Sequence, residues 1–504
     1  MIGEAVNVDR LFSAAPKEKE KDVYDDIPFK LAPYDHQRKI VNETVRDLLS
    51  TGYHGLFMEM GTGKTKCTID SSMALVYGEE ITGLVVIAPK AILSVWTEEE
   101  LPKHMGLPYV TYTWDGKASN KAEEAFGRFN SSPSFAVFVV NVEAFQMVND
   151  TMRKRLHAFI KAHRCLAAVD ESSFIKSPGA KRSKALIGLS KLVPYRMILT
   201  GTEITNSPLD LYMQMRFLCH TFWGSLVFLY FRNRYAILID EYGAGGKIHK
   251  KVVGFQRMDE LMGKIAPHVS RALKRDCLDL PAQIYSVIHV DLSPAQEAVY
   301  FSLKKHLAAM IEEKVMTVPN KISLFTKFRQ ITGGGVNIED EHAVIDPNPP
   351  KLQALLADLA GTDEQAIIWA AFTHEIDMLV RSLAEIAPTV AFHGDVPQER
   401  RDANKRAFQE GKARFIVMNP QAAAYGLNFQ NCHVQYTYSR VLSPAQVWQA
   451  ESRTHRSGQV EACVYKVLVA RGTVDERIEA LLAQKTDIRE RFQTMTIEDI
   501  FNLV

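Results

Sequence analysis

The stretch that decides the fold runs Gly55-Leu-Phe-Met58-Glu59-Met60-Gly61-Thr62-Gly63-Lys64-Thr65. Its first residues read as a short buried strand, its centre turns around two glycines, and a helical pattern follows. Strand, glycine-rich loop and helix are the context a phosphate cradle requires. Gly61 and Gly63 let backbone N–H groups approach an anion, and the helix start adds its positive dipole. In such a cradle Lys64 reaches the β- and γ-phosphates and Thr65 holds Mg²⁺. Met58 stands where the strict pattern has glycine.

Outward from this loop, short β-rich runs alternate with helical stretches: Gly55–Met58, Gly83–Ala88, Phe135–Asn141, Leu166–Val169 and Arg196–Thr200. That alternation predicts a parallel sheet flanked by helices. The small apolar strand ending at Val169 is followed by Asp170-Glu171-Ser172-Ser173. Asp170 is placed to coordinate Mg²⁺, and Glu171 to orient and deprotonate an attacking water. A second alternating region carries strands at Ala366–Ala371, Thr389–His393, Phe415–Asn419, His433–Tyr438 and Val464–Val469. Between the two regions, Tyr242–Lys251 reads as a hairpin or loop tip, Leu292–Gln330 as helical and the proline-rich Asp346–Pro350 as a linker. Thr473–Phe492 reads as a charged amphipathic helix, and Lys17–Asp26 as a solvated leader.

Composition narrows the class. The 504 residues are 46% hydrophobic and 24% charged, with 60 basic against 59 acidic side chains and a net charge of +1. That balance excludes a histone-like polycation and leaves room for a locally basic groove. At roughly 100–200 residues per domain, two to four domains are expected. No two of the six cysteines form a CxxC pair, so neither a zinc site nor a disulfide framework is expected, which suits a reducing cytoplasm. No signal-peptide core is seen, and the longest apolar run, Leu226–Ile239, is broken by Arg232 and Arg234. The expectation is a cytoplasmic protein with no membrane partner.

With these residues in place, the chain resembles the Swi/Snf-type branch of the superfamily 2 helicase-like ATPases. The likeness is carried in order by Leu31-Ala-Pro33-Tyr34-Asp-His36-Gln37, the glycine loop, Val85-Val-Ile-Ala88-Pro89-Lys90 with Ser94-Val-Trp96, and the carboxylate box with Ile175-Lys176 behind it. Leu199-Thr200-Gly201-Thr202 with Asn206 is similar to the coupling motif. In the second half Phe372-Thr373, His393-Gly394-Asp395, Ala424-Tyr425-Gly426-Leu427-Asn428, and Gln449, Arg453, His455, Arg456, Gly458 and Gln459 continue it, and Thr473-Val474-Asp475-Glu476 resembles the closing brace. The chain departs from the family pattern at Met58, at Glu203 in place of Pro, and at Ser173 in place of the box His.

The resemblance implies an α/β protein of two tandem RecA-like parallel-sheet lobes with helical insertions between them. The expected spans are a polar leader (1–27), a first lobe (28–285) with an insertion near 209–262, a helical insertion and linker (286–350), a second lobe with its brace (351–492) and a tail (493–504). It also implies ATP and Mg²⁺ as cofactors and double-stranded DNA as partner. ATP would meet Tyr34, Gln37, Met60, Gly61, Thr62, Gly63, Lys64, Thr65 and Gly426, with Gln37 reading adenine. Mg²⁺ would meet Thr65 and Asp170. Catalysis would rest on Lys64, Asp170, Glu171, Gln449, Arg453 and Arg456. The two arginines, three residues apart, are expected on one face of a helix. Thr200, Gly201 and Thr202 would couple. Pro89, Lys90, Asn141, Thr373, His374 and Ala424, at strand C-termini, would face DNA. Trp96 reads as core. The expected function is an ATP-dependent translocase on double-stranded DNA, against a strand-separating or branch-migrating helicase and a non-catalytic DNA-binding protein.

Overall fold

The computed structural model describes residues 22–116, 119–146, 150–201, 207–242, 248–312, 318–338, 341–421 and 427–483. The chain divides into two compact units, Met1–Leu278 and Asp279–Val504.

In the first unit the strands are β1 (Tyr53–Met58), β2 (Gly83–Ala88), β3 (Tyr109–Thr113), β4 (Phe135–Asn141), β5 (Cys165–Val169), β6 (Tyr195–Thr200), β7 (Ala236–Tyr242), β8 (Ile248–Phe255) and β9 (Val269–Ala272). Seven of them form one sheet in the order β3-β4-β2-β5-β6-β1-β9, every neighbour parallel. The central strands are apolar on both faces because helices cover both. Leu56, Met58, Leu84 and Val86 point into one core, and Phe57, Val85 and Ile87 into the other.

Two expected spans are corrected here. The leader is not solvated throughout: Tyr24 and Ile27 are buried in the core. The Tyr24 hydroxyl donates to Asp70 Oδ2 at 2.5 Å, beside Lys66 Nζ at 2.7 Å. The insertion near 209–262 is not simply helical, because β7 and β8 pair as an antiparallel ribbon. Its helices, Leu211–Leu218, Phe228–Tyr235 and Met258–Ile265, bury Phe217, Phe231 and Ile265 in the core of the first sheet. Gly243, Gly245 and Gly246 of the expected tip lie outside the described residues.

The second unit holds β10 (Gln283–Val290), β11 (Gly335–Ile338), β12 (Glu341–Val344), β13 (Ala366–Trp369), β14 (Thr389–Phe392), β15 (Phe415–Met418), β16 (Val434–Thr437) and β17 (Cys463–Ala470). Six make a second all-parallel sheet, β10-β17-β16-β13-β15-β14. Since β10 pairs with β17 along its whole length, the boundary between the units falls at 278/279, not at 285/286. The helices Pro294–Glu312 and Val318–Thr332 pack with the brace helix Val474–Ala483 through Tyr300, Phe328, Val474 and Ile478. Buried Lys351 pairs with Asp475 at 2.5 Å and thereby ties the helix Pro350–Ala360 to the brace. Among the described residues, no helix is long and apolar enough to cross a membrane.

Candidate nucleotide site

The glycine loop joins the C-terminal end of β1 to the helix α1 of the site, Lys64–Tyr77. Gly61 and Gly63 have φ of 86° and 98°, left-handed values that glycine adopts without a Cβ clash. A Cβ on Gly63 would sit 2.2 Å from Gln37 Nε2, so the loop and Gln37 are in close contact. Gln37 is buried; its Nε2 donates to the Thr62 carbonyl at 3.1 Å and its Oε1 accepts from the Tyr34 N–H at 3.1 Å. His36 Nε2 reaches the same carbonyl at 2.9 Å, and the exposed Tyr34 ring stacks on His36. Gln37 therefore both caps the helix Asp35–Thr51 and braces the loop.

Met58 ends β1 with its side chain in the core, where a side chain is accommodated. What the loop uses at this position is the Met58 carbonyl, which accepts from Lys64 Nζ at 2.8 Å, with the Glu59 carbonyl at 3.3 Å. Met60 and Thr62 are buried, and Thr65 is half-buried in the first turn of α1. Thr200 ends β6 opposite Phe57 of β1. Gly201 then passes close to the loop, since a Cβ there would lie 3.1 Å from Met60 Cγ and 3.4 Å from Lys64 Nζ. Thr202, Ala424 and Gly426 lie outside the described residues, as do Glu203 and Asn206.

Asp170 follows β5. It is buried, and burial pushes its carboxyl above the usual range, opposed by the Trp96 N–H and the charge of Lys64. Trp96 Nε1 donates to Asp170 Oδ2 at 2.9 Å, and the Glu171 N–H to Oδ1 at 2.9 Å. The expectation that Trp96 is core is met, for it is 1% exposed. Sequence reasoning missed that its one polar atom orients the candidate metal ligand. Glu171 has φ 51° and ψ 58°. A left-handed non-glycine residue costs on the order of 1–3 kcal/mol and persists where its surroundings hold it. Lys64 beside a buried carboxylate, Thr65 at a helix start and two left-handed glycines fit a Mg²⁺–phosphate group.

At the far ends of β2 and β4, Lys90 and Asn141 come together. The Lys90 N–H and Asn141 Nδ2 both donate to Glu143 Oε2, at 3.2 and 3.3 Å, and Pro89 precedes them. Glu143 was not anticipated from the sequence.

In the second unit one expectation is corrected. The helix Pro444–Glu451 carries Gln449 but ends before the arginines, which lie in the following turns. They share a side all the same: Arg453 Nη1 and Arg456 Nη1 both donate to the Leu427 carbonyl, at 3.3 and 3.0 Å. His455 contacts the Pro281 carbonyl at 3.0 Å and Gln459 donates to the Cys432 carbonyl at 3.0 Å, which fixes the turn. Thr373 and His374 begin the helix after β13. His374 stacks between Phe372 and His342, with ring centroids 5.7 and 4.0 Å away, and burial pushes its pKa down to about 4. A neutral, stacked imidazole brings no charge to a phosphate backbone. Among the described residues, no cluster of His, Cys, Asp and Glu could hold a metal by itself.

Residues 36–333 match the model of the SNF2-related domain, and residues 347–458 that of the helicase conserved C-terminal domain. The chain is 27% identical over 441 residues to the DNA annealing helicase and endonuclease ZRANB3 of Mus musculus, covering 85% of this chain and 38% of that protein. It is 24% identical over 441 residues to the SWI/SNF-related matrix-associated actin-dependent regulator of chromatin subfamily A-like protein 1 homolog of Caenorhabditis elegans, covering 85% of this chain and 58% of that protein. The chain thus spans less than two thirds of these relatives. A solved structure, the Sulfolobus solfataricus SWI2/SNF2 ATPase core in complex with dsDNA, aligns over 94% of this chain and 95% of its own at 22% identity and a TM-score of 0.42.

Proposed function

The chain belongs to the SNF2-related family, and from that premise we propose that it hydrolyses ATP to move along double-stranded DNA. The observation that carries the proposal is the buried Asp170 carboxylate, aimed by Trp96 and set against Lys64 beside the glycine cradle. Thr65 and Asp170 would hold Mg²⁺, which supplies positive charge to the phosphates when bound. Backbone N–H groups of Gly61–Thr65 hold the phosphates, and Lys64 leaves its own loop carbonyls for phosphate oxygens. Glu171 takes a proton from the attacking water as the water oxygen bonds the γ-phosphorus and the bond to the β-phosphate oxygen breaks. Arg453 and Arg456, gathered on the Leu427 carbonyl, are cations of the kind that meets charge spreading over phosphoryl oxygens. Pro89, Lys90 and Asn141 of the first unit, and Thr373 of the second, are the residues assigned to the duplex backbone, largely without reading bases.

The test is ATP turnover with double-stranded, single-stranded and branched DNA. Duplex should stimulate turnover several-fold, Lys64→Ala should abolish it, and an ATP-dependent motor should displace a triplex-forming strand. Efficient separation of a forked duplex without triplex displacement would favour a strand-separating helicase. Full turnover by the Lys64→Ala protein would refute the assigned site.

A further inference from the structure

The carboxylate box lacks the usual His and reads Asp170-Glu171-Ser172-Ser173. Its first serine is not a passive spacer. Ser172 is 0% exposed, and its hydroxyl donates to Gln214 Oε1 at 2.5 Å. Gln214 is itself buried, and its Nε2 donates to the Asp210 carbonyl at 3.1 Å. A second tie runs in parallel, from Lys176 Nζ to Asp210 Oδ2 at 3.0 Å. Both ties join the turn just after Glu171 to the helix Leu211–Leu218 and its cap Asp210, the first α-helix after β6 among the described residues.

The place of the tie matters. Glu171, which precedes Ser172, holds a left-handed backbone that an L-residue rarely adopts. Such a conformation is kept only where neighbouring groups over-determine it. On one side Asp170 is pinned by Trp96 and by the Glu171 N–H; on the other, Ser172 is pinned by Gln214. A buried serine hydroxyl and glutamine amide with matched partners form a link with little freedom.

We propose that Gln214 is a positioning residue for Glu171, acting through the Ser172 hydroxyl, so that the helix Leu211–Leu218 holds the water-activating carboxylate in place. This rests on the ATPase reading. Gln214 is buried and reaches Glu171 only through Ser172; it sets the direction in which Glu171 points.

The experiment uses the full chain and compares Ser172→Ala, Gln214→Leu, the double variant and Ser172→Thr with the unaltered protein. ATP turnover with and without duplex, affinity for a fluorescent ATP analogue and thermal midpoint are measured together. Each single variant should lower duplex-stimulated kcat about 10- to 100-fold, while nucleotide affinity changes less than about two-fold. Ser172→Thr keeps the hydroxyl and should restore most of the rate. The double variant removes both polar partners, so it should recover thermal midpoint lost by the singles yet stay as slow as they are. A double variant at full rate would overturn the proposal. So would a fall in kcat, affinity and thermal midpoint together that Ser172→Thr does not relieve, for that marks packing alone. No turnover by the unaltered protein would overturn the ATPase reading itself, and the inference with it.

Discussion

Replacing Trp96 by Phe keeps an aromatic ring in the core and deletes one N–H, the donor 2.9 Å from Asp170 Oδ2. Asp170 is buried, and its carboxyl already sits above the usual range because burial disfavours the charged form. Losing the donor pushes it further up. A hydrogen bond to a charged group contributes about 1.5–3 kcal/mol. At about 1.4 kcal/mol per factor of ten, the carboxyl holds its proton about 10- to 100-fold more tightly, and the ionised form, which binds Mg²⁺, becomes scarcer by up to that factor wherever the pH lies below the raised pKa. The half-maximal Mg²⁺ concentration for ATP turnover should rise by up to that factor, most at the acid end of the range. The sign with pH follows: a carboxyl with a raised pKa is ionised only at higher pH, so the acid limb of turnover should move toward higher pH in the variant. Turnover is titrated with Mg²⁺ between pH 6 and 8 in both proteins, with thermal midpoints to confirm the fold. An unchanged Mg²⁺ midpoint with an unmoved acid limb would refute the role assigned to the indole N–H and put Asp170 outside the metal site.

Arg456→Ala and Arg453→Ala should each lower kcat by about 10³-fold with little change in ATP KM, and Lys should rescue poorly because a point charge does not reproduce the planar fork; steady-state kinetics decide, and full turnover would make the residue a turn-fixing group for Leu427 only. Lys351→Met should destabilise the second unit by about 3–5 kcal/mol, because it strands the Asp475 carboxylate, only 12% exposed, without its cation; urea unfolding measures it. Glu375 is buried, and burial pushes its pKa up to about 7. Its folded pKa thus lies above its unfolded value, so stability falls as pH rises from about 4.5 through about 7. Glu375→Gln should raise the thermal midpoint at pH 8, by an effect of at most about 3 kcal/mol, and leave it unchanged at pH 4.

The parallel strands at the centre of each sheet were legible because they are buried on both faces and read as unbroken apolar runs. Val85-Val-Ile and Phe415-Ile-Val are examples. The strands that went unread are edge or short ones. β3 is only half-buried, β9 has four residues with Ser270 and Arg271 among them, and β10 is exposed along most of its length. An edge strand carries polar and apolar side chains together, so its pattern merges with that of a loop. The glycines marked the turn of the β7–β8 ribbon, but its strands, open to solvent at Ile239 and Val253, went unread in the same way.

The candidate site was legible to the extent that it is local. The cradle Gly61–Thr65 and the pair Asp170–Glu171 are contiguous in the chain, and their chemistry follows from spacing alone. The two arginines do share a side, but not for the reason expected. A three-residue spacing suggests a helix face, yet the chain has left its helix by Ser452, and a shared carbonyl at Leu427 gathers them. The polar groups that aim the site escaped entirely. Trp96 lies 74 residues from Asp170, and Gln214 lies 42 from Ser172. In the sequence each is one more residue in a buried helix. What gives each its role is the single atom it presents to a carboxylate or a hydroxyl across the core, and periodicity records which face a side chain occupies, not which partner waits there. The box has Ser173 where the family pattern has His, and its buried tie to the helix Leu211–Leu218 leaves from the neighbouring Ser172 to a partner far away in the chain.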